Sequence, residues 1–306
     1  MEGSSLALAA RHTYRYLRVG IVVMTFVLAV SVVLAAGGEG WSWRASISAY
    51  FYSPARSVFV GALMAIGICL VALQGRIALE DGLLNLAGLL MPYVALIPVP
   101  FEDPRCAPAV VCVPDDLVGG VVNNVWAYSS GALVAIGVAA WVAARERRLR
   151  GSVRTALVVQ FAVVVVLLIG LQLDRARFLT AAHYVTAVPL FLAMVAVVYV
   201  NGRSSRHRIR LGERTFAFTR LYYPIALAML AVLVLAGALG AAEFFSGGAA
   251  LQGRWLFWVE VALLAAFASF FVVQTAEFWV ETVPEDLTCP PLLPRRDPME
   301  RAAAPR

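Results

Sequence analysis

Arg15-Tyr16-Leu17-Arg18-Val19-Gly20-Ile21-Val22-Val23-Met24-Thr25-Phe26-Val27-Leu28-Ala29-Val30-Ser31-Val32-Val33-Leu34-Ala35-Ala36 decides the fold class. Two arginines are followed by 20 residues without a charge, Val19–Gly38. A membrane-spanning helix needs about 20 largely apolar residues, whereas the apolar core of a cleaved signal peptide runs to only about 7–15. The segment therefore reads as an uncleaved transmembrane helix with its basic flank on the N-terminal side.

The same pattern recurs along the chain. Apolar segments run over Gly20–Ala36, Ser57–Gln74, Leu83–Val99, Val125–Ala143, Ala156–Leu173, Ala181–Val200, Tyr222–Ala242 and Trp255–Ala276. The composition agrees: 61% of the 306 residues are hydrophobic and 14% charged, with a mean hydropathy of +0.80. A soluble domain carries roughly 25% charged residues, so this chain has too little polar surface to be solvated by water alone. The expectation is an all-α polytopic membrane bundle of about eight helices. Residues 1–282 form its single domain, and the Pro- and Arg-rich residues 283–306 form a disordered tail.

All 25 basic residues are arginine and none is lysine, which removes Schiff-base lysine chemistry. With eight crossings, the N-terminus, the 74–82 turn, the 144–155 and 201–221 loops and the tail share one side. Nineteen arginines fall there, against six (Arg44, Arg56, Arg105, Arg175, Arg177 and Arg254) on the other. The positive-inside rule then places both termini in the cytoplasm of a plasma-membrane protein. The net charge of +6 follows from this topology. The 203–220 arginines are expected to meet anionic lipid headgroups rather than nucleic acid.

This topology puts Cys106 and Cys112 outside, where a disulfide between them would persist. Gly61–Gly67 and Gly131–Gly137 share a Gly-Ala-Leu-x-Ala-Ile-Gly pattern. The small-residue composition of packed membrane helices is a sufficient explanation for it.

Ionisable groups inside a membrane are costly, and each is a functional candidate by default. His183 and Glu260 stand out, each within roughly two turns of the outer surface at 1.5 Å rise per residue. The outer loop Trp41–Arg56 adds Arg44, Ser46, Ser48, Tyr50, Tyr52 and Arg56. Asp174, Arg175, Arg177, Asn123, Asn124 and Tyr128 lie at the same level. Together they suggest an outer-leaflet polar pocket in which Arg44 and Arg56 hold an anionic group while His183 and Glu260 orient it or shuttle a proton. A purely structural network weighs equally, with His183 bonded to a neighbouring helix and Glu260 paired with Arg44, Arg56 or Arg254. At the inner face, Glu80, Asp81 and Asn85 suit the positive end of a helix dipole. Gln274, Glu277 and Glu281 are expected to be solvated or paired with loop arginines.

A catalytic metal usually takes three protein ligands, and His12 and His207 belong to the opposite side from His183, so no metal and no other cofactor is expected. No Walker motif, dinucleotide fingerprint or nucleophile elbow occurs. The preferred reading is a non-enzymatic protein that binds or moves a lipid or small amphiphile. One alternative is an intramembrane hydrolase with Ser46 or Ser48 as nucleophile, His183 as base and Glu260 or Asp174 orienting it. Another is a subunit whose polar cluster faces a protein partner in the membrane.

The stretch Ser46-Ile47-Ser48-Ala49-Tyr50-Phe51-Tyr52-Ser53-Pro54-Ala55-Arg56-Ser57-Val58-Phe59-Val60-Gly61 resembles a motif of uncharacterised bacterial multi-pass membrane proteins. These carry a Ser-Ile-Ser-Ala-Tyr-Tyr-Tyr-like loop, an Arg and a Phe-Val-Gly helix start. Leu84–Gly88, Val94–Pro98, Ala182–Tyr184, Phe257–Glu260 and Gln274–Trp279 are similar continuations. The resemblance implies an integral membrane protein and carries no activity with it. A looser similarity is to the ceramidase and adiponectin-receptor class, which holds zinc with three His. One usable His cannot rebuild that site.

Overall fold

The computed structural model describes residues 2–102, 111–210, 218–245 and 254–280. They form eight α-helices: α1 (Glu2–Gly38), α2 (Arg56–Ala72), α3 (Ala78–Leu96), α4 (Asp115–Arg145), α5 (Gly151–Leu173), α6 (Arg175–Arg210), α7 (Thr219–Phe245) and α8 (Trp255–Val280). All except α2 are long and apolar enough to cross a membrane. The 17 residues of α2 make a helix of about 26 Å, just short of a full span. A 3-10 turn over Ser48–Tyr52 precedes α2. Between α3 and α4, β1 (Phe101–Glu102) pairs antiparallel with β2 (Val111–Cys112).

Six helices close into a ring in the order α1, α2, α3, α6, α7, α8 and back to α1. Every neighbour in this ring is antiparallel. One core cluster, from Ile21 through Phe59, Leu90 and Met194 to Phe271, fills it. The α4–α5 hairpin packs outside the ring against α3 and α6, around a second cluster that includes Tyr93, Val125, Val164, Leu167 and Phe178.

Lipid-facing helices expose apolar side chains and bury a stripe toward their neighbours. In α1 the buried positions are Arg18, Ile21, Thr25, Leu28, Val32 and Ala36, a spacing of three and four that follows one helical face. Phe26, Leu34, Val134, Val166 and Leu227 are 63–69% exposed. Such surface is unfavourable in water and neutral against lipid tails.

Glycine sets the closest approach. A Cβ on Gly88 would sit 2.7 Å from the Gly67 carbonyl oxygen, and one on Gly67 would sit 2.9 Å from that of Gly88. The α2 and α3 backbones therefore touch, as small residues allow in membrane bundles. The α2–α3 turn is equally tight: a Cβ on Gly75 would clash with the Asp81 backbone nitrogen. At the end of α1 the chain reverses through Gly40 and Trp41, with φ of 71° and 62°, while the Trp41 N–H donates to the Ala36 carbonyl at 2.8 Å.

Candidate functional site

Residues of the 41–56 loop dock onto the ends of α3 and α8. The Ser48 backbone N–H donates to Glu260 Oε2 and its hydroxyl donates to Glu260 Oε1, both at 3.0 Å. The Ser46 hydroxyl accepts from the Ala49 N–H at 3.0 Å, and the Tyr52 hydroxyl donates to the Val99 carbonyl at 3.0 Å. Arg44 pairs with Glu39 at 2.7 Å and lies 5.8 Å from the centre of the Tyr50 ring. Arg56 covers the Phe51 ring at 4.1 Å. Burial pushes the Tyr50 phenol above its ordinary value of 10.0.

Glu260 is thus held by Ser48, not by an arginine ion pair. His183 is buried (2% exposed), and its Nδ1 bonds the Ile97 carbonyl at 2.7 Å. Asp174 caps α6 through the Arg177 N–H at 3.0 Å and pairs with the Arg177 side chain at 3.2 Å. The serine hydroxyls, His183 and Asp174 each bond a different partner, so no nucleophile–base–acid relay is assembled here. Cys112 is disulfide-bonded; Arg105, Cys106, Glu281 and the 283–306 tail lie outside the described residues. Among the described residues, no group of three or more His, Cys, Asp or Glu side chains is placed to hold a metal ion.

The opposite, arginine-rich end holds a buried polar network that charge and dipole reasoning missed. The Arg18 Nε donates to Gln274 Oε1 at 2.9 Å, and Gln274 Nε2 donates to Asn201 Oδ1 at 3.1 Å. Asn201 Nδ2 donates to Glu80 Oε1 at 2.7 Å, and Glu80 Oε2 accepts from the Arg76 N–H at 2.9 Å. The Arg76 guanidinium pairs with Glu277 at 3.1 Å, and the Tyr222 hydroxyl donates to the same carboxylate. Two arginines balance two glutamates. Glu80, Asn201, Tyr222 and Glu277 are each 0–1% exposed. Of the two fates expected for Gln274 and Glu277, solvation does not occur, because the ring brings the ends of α1, α3, α6, α7 and α8 together around them. Pairing with a loop arginine does occur for Glu277, through Arg76 of the α2–α3 turn. The chain alternation expected from sequence is what places these seven side chains on one face.

A cleft of about 530 Å³ opens in the same half of the molecule, between α3 and the α4–α5 hairpin. Its shape follows from where the helices touch. Near mid-span α4 is pinned to α3 by the Tyr93–Ser129 hydroxyl pair at 2.7 Å and by the Tyr128 hydroxyl donating to the Leu89 carbonyl at 2.9 Å. On the other wall, a Cβ on Gly82 would lie 3.0 Å from the Ala156 Cβ, so α3 and α5 converge. Between these points α4 presents Ala127, Gly131, Ala135 and Ala139 to the cleft. Small residues recur every fourth position, one per turn of one face, and leave the space unfilled. A Cβ on Gly131 would meet nothing within 4 Å.

The lining is otherwise apolar (Val71, Leu89, Ala132, Ile136, Leu157), with Asp81, Asn85, Tyr128 and Gln160 as its polar groups. Gln160 is 8% exposed and makes no hydrogen bond to any described residue. Its signal was present in the sequence: it is the single amide of the apolar run 156–170. The chain matches no protein-family model, no curated protein and no solved structure.

Proposed function

We propose that this chain is a multi-pass plasma-membrane protein, both termini cytoplasmic, that binds a lipid or small amphiphile in the cleft between α3 and the α4–α5 hairpin. The observation that carries this reading is the cleft itself. It is apolar over most of its wall, holds a few convergent polar groups, and has a volume inside the range of about 300–1,000 Å³ typical of small-molecule sites. The candidates of the Trp41–Arg56 loop and the helix ends beside it support a structural role better, since Ser46, Ser48, Tyr52, His183 and Glu260 each hydrogen-bond another group of the protein. The arginine-rich edge of the bundle supports the cytoplasmic assignment through the positive-inside rule.

Native mass spectrometry of the full chain, released gently from membranes, tests the proposal. The wild type should carry one bound lipid or amphiphile, and Gly131→Trp should lose it while keeping its helicity, because the indole enters open space. Equal retention by both proteins would refute the assignment to this cleft.

A further inference from the structure

Resting on the amphiphile reading above, we infer that the occupant is a phospholipid whose headgroup carries a primary ammonium, seated with that ammonium at Asp81 and its phosphate toward the arginines of the α4–α5 turn. Four observations lead there.

The first is the sign of the lining. Among the described residues that line the cleft, Asp81 is the only charged side chain, and no described cation lies within ion-pair distance of it. A bare anionic headgroup would bring like charge into a half-buried site, which is unfavourable at low local dielectric.

The second is unused acceptor capacity. An ionised carboxylate offers about four lone-pair positions. Asp81 uses one oxygen for the Gly75 N–H at 3.2 Å and the other for Asn85 Nδ2 at 3.3 Å. Both bonds are long, so the carboxylate retains room for a donor.

The third is Gln160, more than nine-tenths buried, lining the cleft and without a hydrogen bond. Its amide oxygen is open to the cleft and can accept from a donor on a bound ligand. Asp81 and Gln160 together select a cation that donates hydrogen bonds. A primary ammonium has three N–H donors, whereas a trimethylated ammonium has none.

The fourth observation concerns the headgroup's other end. The turn joining the two outer walls of the cleft carries Arg145, Arg147, Arg148, Arg150 and Arg154, all exposed. Arg148 is close enough for its charge to act on Asp81, yet its own contact is a 3.4 Å pair with Glu146 at the surface. Arginine is well suited to phosphate recognition. A carboxylate in the lining and arginines on the adjoining turn match the two charges of a zwitterionic headgroup. A free long-chain amine would use only the first of these features.

The test is a lipid titration of the full chain in detergent, read by native mass spectrometry. The probes are phosphatidylethanolamine, phosphatidylcholine and phosphatidylglycerol with identical acyl chains, and a long-chain primary alkylamine. Wild type should retain phosphatidylethanolamine about tenfold better than phosphatidylcholine, corresponding to about 1.4 kcal/mol, and better than the alkylamine. Asp81→Asn keeps an acceptor for the Gly75 N–H and removes the charge, so it should erase the headgroup preference while total lipid retention stays. Gln160→Leu should weaken the preference severalfold without touching the turn.

Equal retention of the three phospholipids, with loss in Gly131→Trp, would overturn the ammonium inference and leave the amphiphile site standing. Stronger retention of the alkylamine than of phosphatidylethanolamine would overturn the phosphate half. Retention of every probe unchanged in Gly131→Trp would overturn the cleft assignment and this inference together.

Discussion

Replacing Arg76 by leucine should destabilise the bundle far more than replacing Arg76 and Glu277 together. Glu277 is 0% exposed and faces the Arg76 guanidinium at 3.1 Å. Removing one partner of a buried ion pair typically costs about 3–5 kcal/mol, because the other charge stays behind in a medium that solvates it poorly. Arg18 also acts on Glu277 through space, which places the expected cost of Arg76→Leu at the lower end, about 3 kcal/mol. Glu277→Leu leaves Arg18 and Arg76 with Glu80 alone and should cost a similar amount. The double variant removes both charges, and apolar replacement of a whole buried pair is often close to neutral. The double-mutant cycle should therefore show a coupling of at least about 2 kcal/mol. Reversible unfolding in mixed micelles, followed by tryptophan fluorescence, measures all four corners. Additivity within about 0.5 kcal/mol, the behaviour of independent sites, would refute the ionic network as a unit.

Three other outcomes follow from the same geometry. Gly88→Ala should destabilise by about 1–3 kcal/mol through overpacking, because the new methyl meets the Gly67 carbonyl as well as the Val71 side chain; thermal unfolding in detergent checks it, and an unchanged midpoint would contradict the backbone contact. Ser48→Ala removes the hydroxyl donor to Glu260 but leaves the backbone donor, so a loss of about 1–2 kcal/mol is expected, and Ser48→Thr should recover most of it. Because burial raises the Tyr50 phenol in the folded chain, the unfolded chain releases that proton first. The stability it contributes is complete below pH 10 and is lost as the pH climbs through the folded value. Absorbance titration of wild type against Tyr50→Phe isolates that group, and coincidence with free tyrosine would refute its burial.

Fold class and helix order are legible in the chain because lipid imposes a coarse rule. Each segment that crosses must satisfy its own backbone and be apolar for its whole length. Composition and segment length alone reveal such helices, and the arginine distribution orders their ends. The packing between them is hidden for the same reason. In α1 the exposed Phe26 and Leu34 and the buried Leu28 and Val32 are chemically alike, so no polar period marks the face that meets a neighbour.

The polar residues show where this limit bites. His183 and Glu260 are visible as candidates because they interrupt apolar runs. Glu80, Gln274 and Glu277 lie near helix ends, where water or a helix dipole explains a polar group equally well. Their burial depends on α1, α3, α6, α7 and α8 converging, a property of the closed ring and of no single segment. The cleft is hidden more completely, since Ala127, Gly131, Ala135 and Ala139 resemble ordinary small-residue packing positions until α4 is seen to diverge from α3. Hydrophobicity acts residue by residue and can be read along a chain. Convergence and divergence of helices arise from the contacts each pair makes, and those contacts come into being only when the ring closes.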